Sequence, residues 1–258
     1  MKKSTFFIVF TIFLSIPLFS QDKGDNEDNF SHSESYWNRT KIGGAGGVTP
    51  IVGMFDNKEI DKFLSKSAGL PTLGSEPMYL IGGEGYGYIM FLKNVRMGGF
   101  GASGKRTVSV IEPLLRKEVE YNVSYGGFLV DYVQPIAYRL DVAFGASIGG
   151  GEINITMRRD DRGFKTWDTL WTNFGDPSFK AMTYTRNLKG SFVVFNPHVN
   201  IEYSLLTWLQ LRIGVGYPIM FSPDWKLDEK YDLDNVPPKI KASGYTVNAG
   251  IMFGYFGW

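Results

Sequence analysis

Residues 207–221 read TWLQLRIGVGYPIMF and carry the clearest pattern in the chain. From position 209 onward every odd residue is apolar, whereas the even positions include Gln210, Arg212 and two glycines. Successive side chains of a strand point to opposite sides, so an alternation of period two predicts a strand with one apolar and one polar face. This stretch therefore predicts a two-faced β-strand.

The same alternation recurs in both directions along the chain. It is clear at residues 193–203 and 245–255, and compatible at residues 118–125 and 139–148. Three earlier segments are too rich in glycine for their faces to be assigned, and they lie near residues 41–55, 77–92 and 95–110. Together these segments predict an all-β fold of about eight antiparallel strands.

One segment changes its pattern partway along. The apolar residues occupy even positions up to Ile148 and odd positions from Ile153, with Gly149, Gly150 and Gly151 between them. Glycine inside a strand often marks a bulge or a bend. We interpret the three glycines as a β-bulge or bend.

The connections between the predicted strands alternate in length. Short joins are predicted near residues 93–94, 134–135 and 205–206, and longer joins at residues 56–76, 111–115, 158–189 and 222–243. This sorting is typical of an up-and-down barrel, whose two rims carry different connections. An additional hairpin within residues 178–186 would raise the number of strands to ten.

The composition of the two faces distinguishes a transmembrane barrel from a water-soluble one. The polar face is rich in glycine and carries single charges, whereas a sheet that faces water usually carries many Lys, Glu and Thr side chains. We expect a narrow lumen with a structural network of polar side chains, in which Glu202 and Arg212 pair across a tight hairpin. The predicted members are Arg139, Asp141, His198, Glu202 and Arg212. A soluble lipocalin-like barrel is the alternative.

The N-terminal region predicts export. Lys2 and Lys3 precede an apolar run at residues 6–18, and Ser20 precedes a plausible cleavage point, so residues 1–20 are predicted to be a signal peptide. Residues 21–38 are polar and predict a mobile leader, which leaves residues 39–258 for the barrel.

The end of the chain resembles the C-terminal signal by which bacterial outer-membrane barrels are recognised for insertion. Its residues are Asn248, Gly250, Phe253, Tyr255 and, in the final position, Trp258. With the predicted signal peptide and the alternating joins, the chain resembles small, eight-stranded, porin-like outer-membrane barrels. The resemblance implies a bacterial outer-membrane location, contact with outer-membrane lipid and lipopolysaccharide, and recognition by the assembly machinery. It leaves the oligomeric state open.

Several functional classes have little support in the composition. The formal net charge of +1 gives no basic excess for nucleic acid, and the chain has no cysteine for disulfides or thiolate metal sites. We predict no cofactor and no metal site.

A lipid A deacylase family uses a histidine and a serine two residues beyond it. In this chain the residue two positions beyond His198 is Asn200, which is not a serine. We therefore predict no catalytic residues and a non-enzymatic, structural or surface-interacting barrel, with a narrow passive channel and a lipid-modifying enzyme as alternatives.

Two of the long connections carry further candidates. Phe164, Trp167, Trp171 and Phe174 give residues 158–189 many aromatic side chains, which could meet a glycan, a lipid headgroup or a protein partner. The alternative is that these rings rest on the barrel rim at the bilayer interface. In the first long connection, Asp56 or Asn57 can cap a helix that has Ile60, Phe63 and Leu64 on one face and is ended by Gly69 and Pro71. We expect this helix to cover the outer mouth.

Overall fold

The computed structural model describes residues 40–113, 115–161, 166–176 and 183–257, except for the side chains of residues 175 and 222. The predicted signal peptide and leader lie outside these residues. The strands are β1 (Ile42–Phe55), β2 (Met78–Tyr88), β3 (Val95–Ile111), β4 (Leu115–Ala137), β5 (Leu140–Asp161), β6 (Tyr184–Leu206), β7 (Leu209–Gly216), β8 (Ile219–Leu227), β9 (Tyr231–Asp232) and β10 (Gly244–Gly257). The helices are α1 (Lys58–Phe63), which runs into a π-helical turn at Leu64–Ala68, and α2 (Trp167–Gly175).

Within the described residues the strands close into an antiparallel ring of eight. Neighbouring strands pair from β1 to β7, and β10 closes the ring by pairing with both β7 and β1. β8 continues the path of β7 beyond Pro218 and pairs with the other half of β6, while β9 pairs only with β8. The prediction of an eight-stranded up-and-down barrel is confirmed. The ring closes between β5 and β6, and the hairpin considered within residues 178–186 lies mostly outside the described residues. The predicted strand at residues 207–221 is interrupted at Tyr217 and Pro218.

The two ends of the barrel differ, and we call them the turn end and the loop end. At the turn end, residues 89–94, 138–139 and 207–208 join consecutive strands. The second of these turns lies four residues beyond its predicted place, because β4 continues to Ala137. At the loop end, the β3–β4 join predicted to be long spans only residues 112–114, because β3 and β4 themselves extend outward.

An apolar belt surrounds the half of the barrel nearest the turn end. The side chains that the alternation assigned to the apolar face point outward, as shown by Ile213, 65% exposed, Ile251, 49% exposed, and Phe144, 51% exposed. Residues 140–150 of β5 belong to this belt, and they match the length of about 9–11 residues that a tilted strand needs to cross a bilayer. A soluble lipocalin-like barrel has the opposite arrangement, so the fold is that of a transmembrane barrel.

Toward the loop end the polarity of the wall inverts, and we call this part the extension. In β4 the inward side chains of Tyr121 and Val123 are buried and apolar, whereas Glu118 and Glu120 lie on the outer face. The β4–β5 pairing continues without a shift across Gly149–Gly151, so the predicted bulge there is wrong. The apolar residues change position because lipid surrounds the belt and water surrounds the extension.

The outside of the extension carries a series of ion pairs. Arg158 and Arg116 both bind Glu118, at 2.9 and 2.6 Å. Lys189 binds Glu152 at 2.9 Å, and the hydrogen bond between them raises the pKa of Lys189 above its ordinary value. Exposed pairs of this kind each contribute about 0–1 kcal/mol. They make the outer face suitable for water.

The inside of the extension holds the main apolar core. Val123, Ile153 and Val194 are completely buried there. The predicted helix is present as α1, and it packs Ile60 into this core, as the π-helical turn does with Leu64. Asp56 accepts a hydrogen bond from the backbone N–H of Lys58 at 3.2 Å, and the turn ends at Gly69 in a left-handed conformation with φ of 65°.

Candidate functional site

Charged side chains from several strands meet inside the belt, and we call them the lumen cluster. Its centre is Arg96 of β3, which has no exposed surface. The guanidinium group binds Glu202 through two hydrogen bonds of 2.8 and 2.6 Å, and Asp131 through its Nε at 2.9 Å. This planar fork geometry is the one in which arginine binds carboxylates most strongly.

A second arginine completes the arrangement. Arg212 of β7 forms an ion pair with Glu202, at 2.7 Å from Nη2 to Oε1, and also donates a hydrogen bond to Glu84 of β2. Glu202 therefore lies between two guanidinium groups, and strands from both sides of the lumen are joined through it. The cluster consists of Glu84, Arg96, Asp131, His198, Glu202 and Arg212.

An aromatic ring lies against both arginines. The guanidinium carbon of Arg96 lies 3.9 Å from the ring centroid of Tyr86, and that of Arg212 lies 5.5 Å away. The Tyr86 hydroxyl donates to Gln210 at 2.9 Å, and the Gln210 amide faces the Ser204 hydroxyl at 3.5 Å. Tyr86 thus packs against the two charged groups through cation–π contacts, and hydrogen bonds hold its hydroxyl in place.

His198 lies at the edge of the cluster with both ring nitrogens occupied. Nε2 is 2.8 Å from Oδ1 of Asp131, and Nδ1 is 3.2 Å from the backbone carbonyl oxygen of Asn196. Both partners are acceptors, an arrangement that a doubly protonated imidazole satisfies. Asn200, two residues beyond His198, accepts a hydrogen bond from the side-chain amide of Asn248 at 3.4 Å.

A separate ion pair lies nearer the turn end. The Lys41 ammonium group is 2.8 Å from Asp141, and both side chains are buried. The backbone N–H of Lys41 donates to Asn94 at 2.9 Å. Asn94 itself adopts a positive φ of 61° in the turn between β2 and β3. This pair fixes the start of β1 to the turn end of the barrel.

The predicted lumen residues are placed in three ways. Glu202, Arg212 and His198 belong to the cluster, and Asp141 pairs with Lys41. Arg139 is wrongly placed by the prediction, because it occupies the β4–β5 turn with a φ of 66° and donates to the backbone of Leu205. The turn lies further along the chain than predicted, so Arg139 lies in this turn and not on the lumen face of a strand.

Three cluster members were missed by the sequence prediction. Arg96 and Glu84 lie in glycine-rich strands whose faces could not be assigned. Asp131 lies between Val130 and Tyr132, which are both exposed on the belt. That local alternation was a usable signal for an inward Asp131.

The aromatic loop candidates lie on α2, apart from Phe164, which is outside the described residues. Thr166 caps this helix by accepting a hydrogen bond from the backbone N–H of Thr169. The rings of Trp167, Trp171 and Phe174 follow one another at centroid distances of 5.7 and 6.3 Å. All three side chains are more than half exposed.

The residues of the predicted insertion signal lie along β10, except Trp258, which is outside the described part of the chain. Phe253 and Tyr255 point outward and are 54% and 60% exposed. Asn248 and Gly250 lie on the lumen side. Phe256, in contrast, is buried inside the barrel in one cluster with Met252.

A pocket opens at the loop end, and we call it the mouth pocket. It has a volume of about 650 Å³ and lies between α1, the inner faces of β4, β5 and β6, and residues 233–240. Its lining is mainly apolar, and Leu64, Val119 and Ile155 are among its buried members. Lys117 and Arg159 add positive charge to the lining.

Two features are absent from the described residues. No three His, Cys, Asp or Glu side chains there are grouped as metal ligands would be. None of the helices in the same part of the chain combines the length and the apolar character needed to cross a membrane.

Comparisons with known proteins give structural likeness without sequence relatives. No protein-family model matches the chain, and no curated protein matches it. The attachment invasion locus protein Ail of Yersinia pestis is 11% identical, with 84% of this chain and 99% of that chain covered and a TM-score of 0.35. For a major outer membrane protein of Thermus thermophilus the identity is 8%, the coverage 83% and 99%, and the TM-score 0.43.

The outer membrane protease OmpT of Escherichia coli is 9% identical, with a TM-score of 0.23 and coverage of 84% of this chain and 95% of that chain. All of these are outer-membrane proteins in their own right. The likeness is too low to carry any function to this chain, whose fold rests on its own ring of strands and apolar belt.

Proposed function

We propose that this chain is a closed, non-enzymatic barrel of the bacterial outer membrane that interacts with its surroundings through the loop end. The observation that carries the proposal is the complete burial of Arg96 between Asp131 and Glu202, across the interior of the belt. An open pore would leave these charges in water. Here they fill the interior.

The interior is blocked at a second level as well. Beyond the lumen cluster, the extension contains an apolar core in which Val123 and Val194 have no exposed surface and Met220 is 1% exposed. An ion that entered from the turn end would have to displace the buried ion pairs and then cross this core. Both steps are costly, because charges lose their hydration in such surroundings.

The surface role rests on the architecture of the loop end. The extension is charged on its outside, and α2 presents Trp167, Trp171 and Phe174 with more than half of each side chain exposed. Exposed tryptophan and phenylalanine on one face are typical of sites that contact a partner. The short turns of outer-membrane barrels face the periplasm, so the loop end would face outward.

The non-enzymatic part of the proposal rests on His198. Its two ring nitrogens already face Asp131 and the carbonyl of Asn196. A histidine base must have a nitrogen within reach of a nucleophile. With both nitrogens engaged, the role supported by the geometry is structural.

Conductance in planar bilayers tests the closed interior. We expect purified protein, inserted as verified by protease protection, to give no steady openings under conditions in which a general porin conducts. Steady, unitary openings would contradict the proposal.

Mass spectrometry of lipid A tests the enzyme alternative. Lipid A from cells with and without the gene should give the same mass spectrum, and a difference would refute the non-enzymatic assignment.

Labelling of intact cells tests the outward orientation. The chain contains no native cysteine, so Trp171→Cys introduces a single thiol on α2. A membrane-impermeant maleimide should label this variant on intact cells, whereas Arg139→Cys, in a turn of the turn end, should be labelled only after the outer membrane is opened. The reverse result would overturn the orientation.

A further inference from the structure

The mouth pocket has the size and chemistry of a ligand site. Its volume of about 650 Å³ falls within the range of about 300–1,000 Å³ that is usual for small-molecule sites. The walls are mainly apolar and come from three separate parts of the chain, which are α1 with its π-helical turn, the inner faces of β4–β6, and residues 233–240. An apolar cavity of this size gains stability when an apolar group fills it.

Positive charge is concentrated on one side of this pocket. Lys117 and Arg159 are directly opposed residues of β4 and β5, and both lie on the inner face of the wall. Like charges in this position destabilise a sheet. Lys117 forms an ion pair with Glu112, in the β3–β4 join, at 2.8 Å, and among the described residues no carboxylate forms an ion pair with Arg159.

On the outer face, the neighbouring opposed residues carry opposite charges. The next opposed pair, Glu118 and Arg158, is complementary and joined at 2.9 Å. The carboxylates in the pocket lining are Glu118, which Arg116 and Arg158 already bind, and Asp234. Cations therefore outnumber anions in the lining, and the like-charged pair lies beside the apolar walls.

We propose that the mouth pocket binds the anion of a single-chain fatty acid, with the acyl chain against the apolar walls and the carboxylate between Lys117 and Arg159. A carboxylate between two cations would relieve their repulsion and form charge-assisted hydrogen bonds. Burial of its methylene groups against the apolar walls would stabilise the bound acyl chain. The volume favours one chain over a lipid with two. This inference goes beyond the closed-barrel function and does not depend on it.

Equilibrium dialysis of radiolabelled decanoate tests the site. The full-length mature protein is held in nanodiscs of phosphatidylcholine, and empty nanodiscs measure simple partition into the lipid. We expect saturable binding of one decanoate per barrel above that partition. Decanol has a chain of the same length but no charge, and its affinity should be lower than that of decanoate by about tenfold. This difference corresponds to the energy of a hydrogen bond to a charged group.

Three charge variants assign the site. Arg159→Gln and Lys117→Gln should each weaken decanoate binding about tenfold and leave decanol unchanged. Lys105→Gln is the matched control, because it removes one exposed cation from the outer face of β3, outside the pocket. It should bind as the parent protein does. Absence of saturable binding in the parent protein, or equal affinities in Arg159→Gln and Lys105→Gln, would overturn the proposal.

A variant that fills the pocket separates the acyl site from a general charge effect. Ala68→Phe places a ring at a lining position of the π-helical turn, which is partly buried against the core. It should reduce the binding of decanoate and decanol alike, while the urea midpoint reports whether the barrel is still folded. Unchanged binding of both ligands in folded Ala68→Phe would also overturn the proposal.

Discussion

The guanidinium group of Arg96 binds both carboxylate oxygens of Glu202, at 2.8 Å from Nη1 to Oε2 and 2.6 Å from Nη2 to Oε1. The two residues lie on β3 and β6, which are not neighbours in the ring. The interaction therefore crosses the lumen. Arg96 also forms an ion pair with Asp131, and Arg212 of another strand forms an ion pair with Glu202. These contacts make the centre of the belt a charge-paired core.

Loss of the shared carboxylate should be costly. Glu202→Gln removes the negative charge that both Arg96 and Arg212 bind, and breaking a buried pair in this way costs about 3–5 kcal/mol. We expect the free energy of unfolding, measured by urea titration in phospholipid vesicles, to fall by that amount. Glu229→Gln is the control, because that carboxylate is 65% exposed and should change stability by less than about 0.5 kcal/mol. Equal stabilities of the two variants would show that the cluster does not stabilise the barrel.

Two adjacent glycines should differ sharply in their tolerance of a side chain. A Cβ at Gly149 would overlap the backbone carbonyl oxygen of Gly126 on the paired strand, whereas at Gly150 the nearest atom is 3.7 Å away. Gly149→Ala should therefore cost about 1–3 kcal/mol, as overpacking does. Gly150→Ala should stay within about 0.5 kcal/mol of the parent protein. Urea titration of both variants checks this, and a larger loss in Gly150→Ala would contradict the described packing.

The β8–β9 turn should respond to acid through Asp228. The backbone N–H of Asn187 donates to this carboxylate at 2.9 Å and the Arg186 side chain at 2.7 Å, and these bonds hold the pKa of Asp228 below its usual range. A lowered pKa in the folded state means that the contact is fully present above about pH 3.9, the value of an unperturbed aspartate, and is lost as the pH falls through the folded pKa.

The amide resonance of Asn187 reports this contact in an NMR titration. Its downfield shift should persist to below about pH 3.9 and then move upfield. Asp228→Asn should abolish the titration, because an amide does not ionise. A midpoint at or above the ordinary aspartate value would contradict the assigned hydrogen bonds.

The belt could be predicted from the sequence, because one physical rule governs it. Ile213 and Ile251 point to lipid in the structure as their alternation indicates. The rule fails at Gly149–Gly151, where the solvent outside the wall changes from lipid to water. The strand pairing continues unchanged, but apolar side chains point outward in the belt and inward in the extension. A sequence pattern alone looks the same for a bulge and for a change of surroundings.

The lumen cluster could be predicted only in part. Glu202 and Arg212 are opposed residues of one hairpin, so local register was enough to pair them. Arg96 comes from a distant strand in which Gly98, Gly99 and Gly101 obscure the two faces. Its position at the centre depends on closure of the whole ring, which brings β3 opposite β6. No local pattern contains that information.

Spin labels on one face of β5 test most directly whether the wall passes from lipid into water. Single cysteines replace Phe144 and Ile148 in the belt and Thr156 and Arg158 in the extension, all on the outer face. In reconstituted bilayers, labels at 144 and 148 should be relaxed by oxygen and shielded from a water-soluble nickel complex, whereas labels at 156 and 158 should show the opposite. Equal access of the nickel complex to all four positions would contradict the transmembrane barrel.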